Sequence, residues 1–89
     1  MSPVPTGTAV TVRFFAAARA AAGAQEEAVL LPAGGTVAEL TELLAGRGAE
    51  LARVLRRCSY LCDGTAVRDT GAVLRTGQTI DVLPPFAGG

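Results

Sequence analysis

The stretch TVAELTELLAG, residues 36–46, carries the clearest secondary-structure signal in the chain. Thr36 and Glu39 have the spacing of a capping box, in which a threonine hydroxyl and a glutamate carboxylate satisfy free backbone N–H groups at a helix start. The apolar residues that follow recur at helical spacing until glycines interrupt the run. They are Val37, Leu40, Leu43 and Leu44. The pattern predicts a helix from residue 37 whose apolar face covers one side of a sheet.

Residues 8–15, upstream of this helix, alternate between apolar and polar side chains, which is typical of a half-buried strand. Val10, Val12 and Phe14 are the predicted core-facing side chains. Phe15 falls on the opposite, nominally polar side. A large apolar group in that position is a candidate partner contact, although scattered exposed hydrophobic residues are also common on surfaces without a role in binding.

The other elements are indicated by short apolar runs between turn residues. Two more helical segments are predicted, an alanine-rich run at 16–22 that stops at Gly23 and a turn or two within 50–57. Further strands are predicted at residues 26–31, 59–62, 65–67 and 79–83, with an Asp-Gly turn joining the third and fourth segments of the sheet. In the last strand Ile80 and Val82 are predicted to face the core, which places Leu83 outside.

This order of elements predicts an α+β domain of the β-grasp type, a mixed sheet with one main helix packed on one face. Residues 8–83 are expected to form the domain, residues 1–7 a flexible leader and residues 84–89 an extended tail ending in Gly-Gly. If the first and last strands are neighbours, Phe15 and Leu83 come together.

The final residues LPPFAGG, 83–89, are the candidate functional segment. Gly88 and Gly89 lack a Cβ, so a terminal carboxylate there is able to enter a narrow active site. Pro84 and Pro85 favour extended backbone and are expected to hold the tail away from the domain. Fully extended, the tail reaches roughly 20 Å. The alternative is a frayed end without a task, because chain termini are often small-residue and mobile.

Composition argues against several other functions. Eight basic residues balance eight acidic ones, so no net charge attracts a nucleic acid. Histidine and lysine are absent, which removes the commonest metal ligand and general base and every Schiff-base amine. No apolar run approaches the roughly 20 residues that span a membrane, and no signal sequence is evident, so a cytoplasmic location is expected.

Cys58 and Cys62 make a poor chemical pair. On one strand their Cα atoms would lie about 13 Å apart, beyond disulfide reach. A zinc site needs two more good ligands, and the chain has no histidine and no third cysteine. We therefore predict no metal site and two free thiols that are buried or half-buried.

Together these stretches resemble the ubiquitin-like sulfur carriers, and the small subunit of molybdopterin synthase (the MoaD type) more than the ThiS type of the thiazole pathway. The resemblance rests on VRFFAAAR at 12–19 with Gly23, TVAEL at 36–40, the approach from Leu74 to Val82, and LPPFAGG at 83–89. The Pro-Pro-x-x-Gly-Gly end is its specific element. Cys62-Asp63-Gly64 departs from the Val-Asn-Gly common in the family, and Phe86 is bulkier than the usual valine, which bears on partner preference.

The resemblance implies that a separate ATP-dependent enzyme, similar to ubiquitin-activating enzymes (the MoeB or ThiF type), adenylates Gly89. Sulfur from a persulfide then replaces AMP and leaves a Gly89 thiocarboxylate, while the chain itself binds no cofactor. In the molybdopterin case the tail enters the large synthase subunit (the MoaE type), which holds the sulfur acceptor. The implied partner contacts are Phe15, Leu83, Pro84, Pro85, Phe86 and Ala87, with Gly88 preceding the reacting residue.

Other functions remain open at this point. The same carrier chemistry could supply a thiazole, cysteine or a sulfur-containing secondary metabolite. A ubiquitin-like modifier or binding module, whose tail forms amide bonds or has no chemistry, is the alternative from a different class. The absence of lysine excludes lysine-linked chains of this protein but not its attachment to others. An independent enzyme is disfavoured, because no nucleophile and base pair or phosphate loop is evident.

Overall fold

The computed structural model describes residues 7–85, which form one mixed sheet and three helices. The elements in chain order are β1 (Gly7–Phe14), α1 (Ala16–Ala22), β2 (Glu26–Pro32), α2 (Val37–Ala45), α3 (Ala49–Leu55), β3 (Ser59–Cys62), β4 (Thr65–Ala66) and β5 (Thr79–Leu83). The strand order is β2-β1-β5-β3-β4. Of the four strand pairs in this order, β1–β5 is parallel and the other three are antiparallel. The predicted β-grasp arrangement is confirmed.

The central position of β1 and β5 brings the first and last strands of the described region together. Arg13 pairs with Asp81 and Phe14 with Val82 in the parallel register. The Phe15 N–H continues the ladder by donating to the Val82 carbonyl at 3.2 Å. The backbone after β1 therefore stays beside the end of β5, as the predicted pairing of first and last strands requires.

One face of the sheet and all three helices enclose the core. Its sheet residues are Val10, Val12, Phe14, Val29, Leu31, Ile80 and Val82, its helical residues are Ala18, Val37, Leu40, Leu44, Leu51 and Leu55, and Leu74 joins from a loop. The predicted core-facing residues of the first and last strands are thus confirmed. The two further helical segments predicted beside the main helix, α1 and α3, also contribute buried side chains to this core.

The start of α2 follows the predicted capping chemistry in part. The Thr36 hydroxyl accepts the Glu39 N–H at 3.2 Å. Leu43, predicted to face the core, is instead 41% exposed. Successive helical residues are about 100° apart, and this rotation carries Leu43 away from the line formed by Val37, Leu40 and Leu44. A residue three positions after a buried one can therefore lie at the edge of the buried face of a helix and remain exposed.

The first strand ends one residue earlier than its alternating pattern predicted, and the turn into α1 is sharp. β1 ends at Phe14, and Phe15 serves as the extended N-cap residue of α1. Ala16 then takes a φ of 49°, in the left-handed region that a residue with a Cβ adopts at a cost of about 1 kcal/mol. This sharp turn leaves Phe15 at the junction of sheet and helix with its ring partly exposed.

Candidate functional site

The sheet face opposite the helices holds a charged pair at its centre. The Arg13 Nε and Nη2 groups donate to the two Asp81 carboxylate oxygens at 2.6 and 2.9 Å, a bidentate geometry. Asp81 is only 6% exposed, whereas the Arg13 side chain keeps 47% of its surface in solvent. The hydrogen bonds that Arg13 donates to Asp81, followed by the negative charge of that carboxylate, raise the pKa of Arg13. The alternation that put Asp81 on a polar face did not reveal that Arg13 covers it.

Phe15 lies next to this charged pair and adds an aromatic ring to the same surface. The Arg13 guanidinium carbon lies 5.6 Å from the centre of the Phe15 ring, within the range of a cation–π contact. Phe15 is 38% exposed. The β1–β5 register, continued by one residue, places it beside Leu83, which also pairs with Ser59 of β3. We call Arg13, Phe15 and Leu83 the outer patch; its role in binding remains a prediction.

Two predicted contact residues lie deeper than expected. Leu83 is half-buried rather than fully outward, and Pro84 is buried, so that of the two prolines only Pro85 is exposed. Both prolines line a cleft against α1 and α3. The expectation that Pro84 and Pro85 hold the tail away from the domain is therefore wrong for Pro84, which is buried beside α1 and α3. The predicted site residues Phe86, Ala87, Gly88 and Gly89 lie outside the described residues.

The cysteines are free, as predicted, and both are half-buried. The Cys58 thiol donates to the Val54 carbonyl at 3.2 Å. Burial raises the pKa of Cys58, and burial followed by the charge of Asp63 raises the pKa of Cys62. A raised pKa lowers the thiolate fraction near neutral pH and with it the reactivity of the sulfur. These environments favour a packing role over nucleophilic chemistry.

Residues 7–85 contain neither a candidate metal site nor a helix that could span a membrane. No group of His, Cys, Asp or Glu side chains there is arranged to hold a metal ion. None of the helices in this region has the length and apolar character needed to cross a membrane.

A cleft of about 440 Å³ lies where the chain leaves β5, and we call it the root cleft. It is lined by Ala17, Glu50, Arg53, Val54, Arg57, Pro84 and Pro85. This cleft does not follow from the sequence patterns, because its walls come from segments that are far apart in the chain. The available signal was the four-residue spacing of Arg53, in α3, and Arg57, in the turn just after it, since a spacing of one helical turn favours the same side.

The β2-β1-β5-β3-β4 sheet, the three helices on one face and the Pro-Pro-x-x-Gly-Gly sequence after β5 define a ubiquitin-like domain of the sulfur-carrier type. Comparison with protein families agrees with this class. The chain belongs to the ThiS family, whose model matches residues 12–89.

Solved structures support the same relationship. A protein proposed to be molybdopterin converting factor subunit 1, from Pyrococcus furiosus, is 26% identical with a TM-score of 0.80, over 89% of this chain and 99% of that one. SAMP1 from Haloferax volcanii is 24% identical with a TM-score of 0.79, over 91% and 99%. A complex of subunits 1 and 2 of molybdopterin-converting factor from Helicobacter pylori matches at 26% identity and a TM-score of 0.64, over 92% and 100%. The comparison with curated proteins gave no significant match.

Proposed function

We propose that this protein carries sulfur on its C-terminus, as a thiocarboxylate formed at Gly89. The observation that carries the proposal is the position of the sequence PPFAGG directly after the central strand β5 of a ThiS-family domain. A carboxylate is a poor electrophile, so an ATP-dependent partner of the MoeB or ThiF type first converts it into an acyl adenylate. A persulfide sulfur then attacks the acyl carbon and AMP leaves. The product is an acyl disulfide, and a thiol of the activating enzyme or of a reducing agent then attacks its donor-side sulfur. A new disulfide forms there as the Gly89 thiocarboxylate leaves.

The chain's own contribution in this proposal is to present the tail. It has no histidine or lysine, so acid and base groups for the reaction come from the partner enzyme. The outer patch supplies the docking contact, since Phe15 adds exposed apolar area and Arg13 adds a guanidinium fixed by Asp81. Pro84 anchors the base of the tail in the domain, and the tail proper begins at Pro85.

We further propose molybdopterin synthesis as the destination of the sulfur. The likenesses to a proposed molybdopterin converting factor subunit 1 and to a subunit 1 in complex with subunit 2 support this assignment. By that likeness, a large subunit of the MoaE type would hold the sulfur acceptor and receive the tail. Delivery to another pathway uses the same carrier chemistry and differs only in the accepting enzyme. A modifier function would instead join Gly89 to amines of other proteins.

The proposal is tested by intact-mass measurement of the full-length protein after incubation with an activating enzyme, ATP and a persulfide donor. We expect a gain equal to the mass difference between sulfur and oxygen, located at Gly89 by fragmentation. Amide-linked adducts without this gain would favour the modifier function. If a demonstrably active cognate enzyme produces neither change, the carrier proposal fails.

Leu83→Asp is expected to weaken binding of the activating enzyme by at least about tenfold, because it places a charge in the outer patch where apolar contact is needed. Leu30→Asp is the matched control, since Leu30 is 65% exposed on the edge strand β2, which β1 separates from β5. Calorimetry measures both affinities, and circular dichroism checks that each variant is folded. Equal losses in the two variants would contradict an outer patch centred on the end of β5.

A further inference from the structure

The root cleft lies on the helical side of the domain and is separate from the outer patch. Its apolar wall combines Ala17 of α1, half-buried Val54 of α3 and buried Pro84. Exposed Pro85 completes the wall at the point where the tail begins. The first tail residue is therefore part of the cleft, and a protein that grips the tail comes into contact with it.

The rim of the root cleft carries positive charge in a protein whose net charge is zero. Arg53 pairs with Glu50 at 2.6 Å. Arg57 makes no ion pair among the residues that the structure describes. Two arginines against one glutamate leave one positive charge at the rim. A guanidinium with free N–H groups beside an apolar wall suits a carboxylate next to an apolar side chain.

The length of the tail brings a partner close to this cleft. Residues 86–89 span at most about 14 Å when extended. An enzyme that acts on the Gly89 carboxyl therefore has its active-site entrance within that distance of Pro85. Its surface around the entrance is therefore within reach of both the outer patch and the root cleft, which flank the start of the tail.

We propose that the root cleft is a second docking site for the enzyme that adenylates Gly89, and that this enzyme fills it with an apolar side chain flanked by a carboxylate. The inference rests on the proposed carrier function. The apolar side chain packs against Val54 and Pro84, and the carboxylate pairs with Arg57. Contacts on both faces fix the direction in which the tail leaves the domain, and so help to place the Gly89 carboxyl carbon for reaction.

Arg57→Glu and Arg56→Glu form a matched pair for testing the charged rim. Both residues are exposed and adjacent just after α3, so the two variants change the net charge and the helix end alike. Arg56 lines a different cleft, beside Tyr60. We expect Arg57→Glu to weaken binding of the activating enzyme at least about tenfold more than Arg56→Glu, and the difference to shrink as salt is raised. Equal effects of the two substitutions would overturn the proposal.

Ala17→Trp and Ala20→Trp test the apolar wall without changing charge. Ala17 lines the root cleft, whereas Ala20 is an exposed residue of the same helix outside it. We expect only Ala17→Trp to raise the dissociation constant, measured by calorimetry on the full chain with circular dichroism as the folding check. The sulfur mass gain of the unsubstituted protein is recorded in parallel. If the unsubstituted protein gains sulfur but the two tryptophan variants bind equally well, only the docking role of the root cleft is overturned. If the unsubstituted protein gains no sulfur, the carrier function is overturned, and with it the docking role that rests on it.

Discussion

Deletion of Gly89 is expected to abolish the gain of sulfur mass while leaving the domain folded and able to bind the activating enzyme. The shortened chain ends on Gly88, so its carboxyl carbon falls about 3.5 Å short of the position that the full tail reaches. Misplacement of a reacting atom by only about 1 Å can cost roughly 100-fold in rate. Intact mass after incubation with enzyme, ATP and persulfide donor measures the loss, and calorimetry measures the retained binding.

Ala87→Gly is the matched control for this deletion, because it alters the tail at a nearby position and preserves its length. We expect the control to gain sulfur at a rate within a few-fold of the wild type. A deletion variant that gains sulfur as fast as the full-length chain would show that the distance from the domain to the carboxylate is not critical. That outcome would contradict Gly89 as the reacting residue.

Phe14→Ala is expected to lower the free energy of unfolding by about 3–5 kcal/mol, the usual cost of emptying a buried aromatic site. Phe14 is 1% exposed and lies opposite Val82 at the centre of the sheet. Since small domains are stable by only about 5–15 kcal/mol, the midpoint of urea denaturation should fall sharply.

Phe15→Ala is the natural comparison, because it removes the same ring from the next residue of the chain. Phe15 is 38% exposed, so its loss should cost less stability than that of Phe14, because less apolar area returns to water and no enclosed cavity is left. It should nevertheless weaken binding of the activating enzyme, since the outer patch loses its aromatic contact. Comparable destabilisation by the two substitutions would contradict the separation of core and patch, and unchanged binding by Phe15→Ala would remove Phe15 from the patch.

Much of the fold was predictable because its signals are local or periodic. The alternation of Val10, Val12 and Phe14 identified the buried face of β1, and Thr36 identified the start of α2. The element order and the terminal Pro-Pro-x-x-Gly-Gly sequence indicated a ubiquitin-like sulfur carrier, and the ThiS-family match agrees. The predictions that failed concern residues whose surroundings are formed by distant segments of the chain. Pro84 is buried beside helices that precede it by many residues in the chain. Leu43 is exposed because only a narrow face of α2 packs into the core.

The sequence by itself determined the β-grasp class, the buried faces of the central strands and the residue proposed to react, because these follow from side-chain period, turn chemistry and the composition of the tail. Only the tertiary structure decided that Asp81 is covered by Arg13, a residue 68 positions away, and that α1, α3 and Pro84 enclose the root cleft. Burial and ion pairing depend on which segments meet in space. The parallel pairing of β1 with β5 brings Arg13 to Asp81, and the packing of the helices beside the end of β5 forms the cleft.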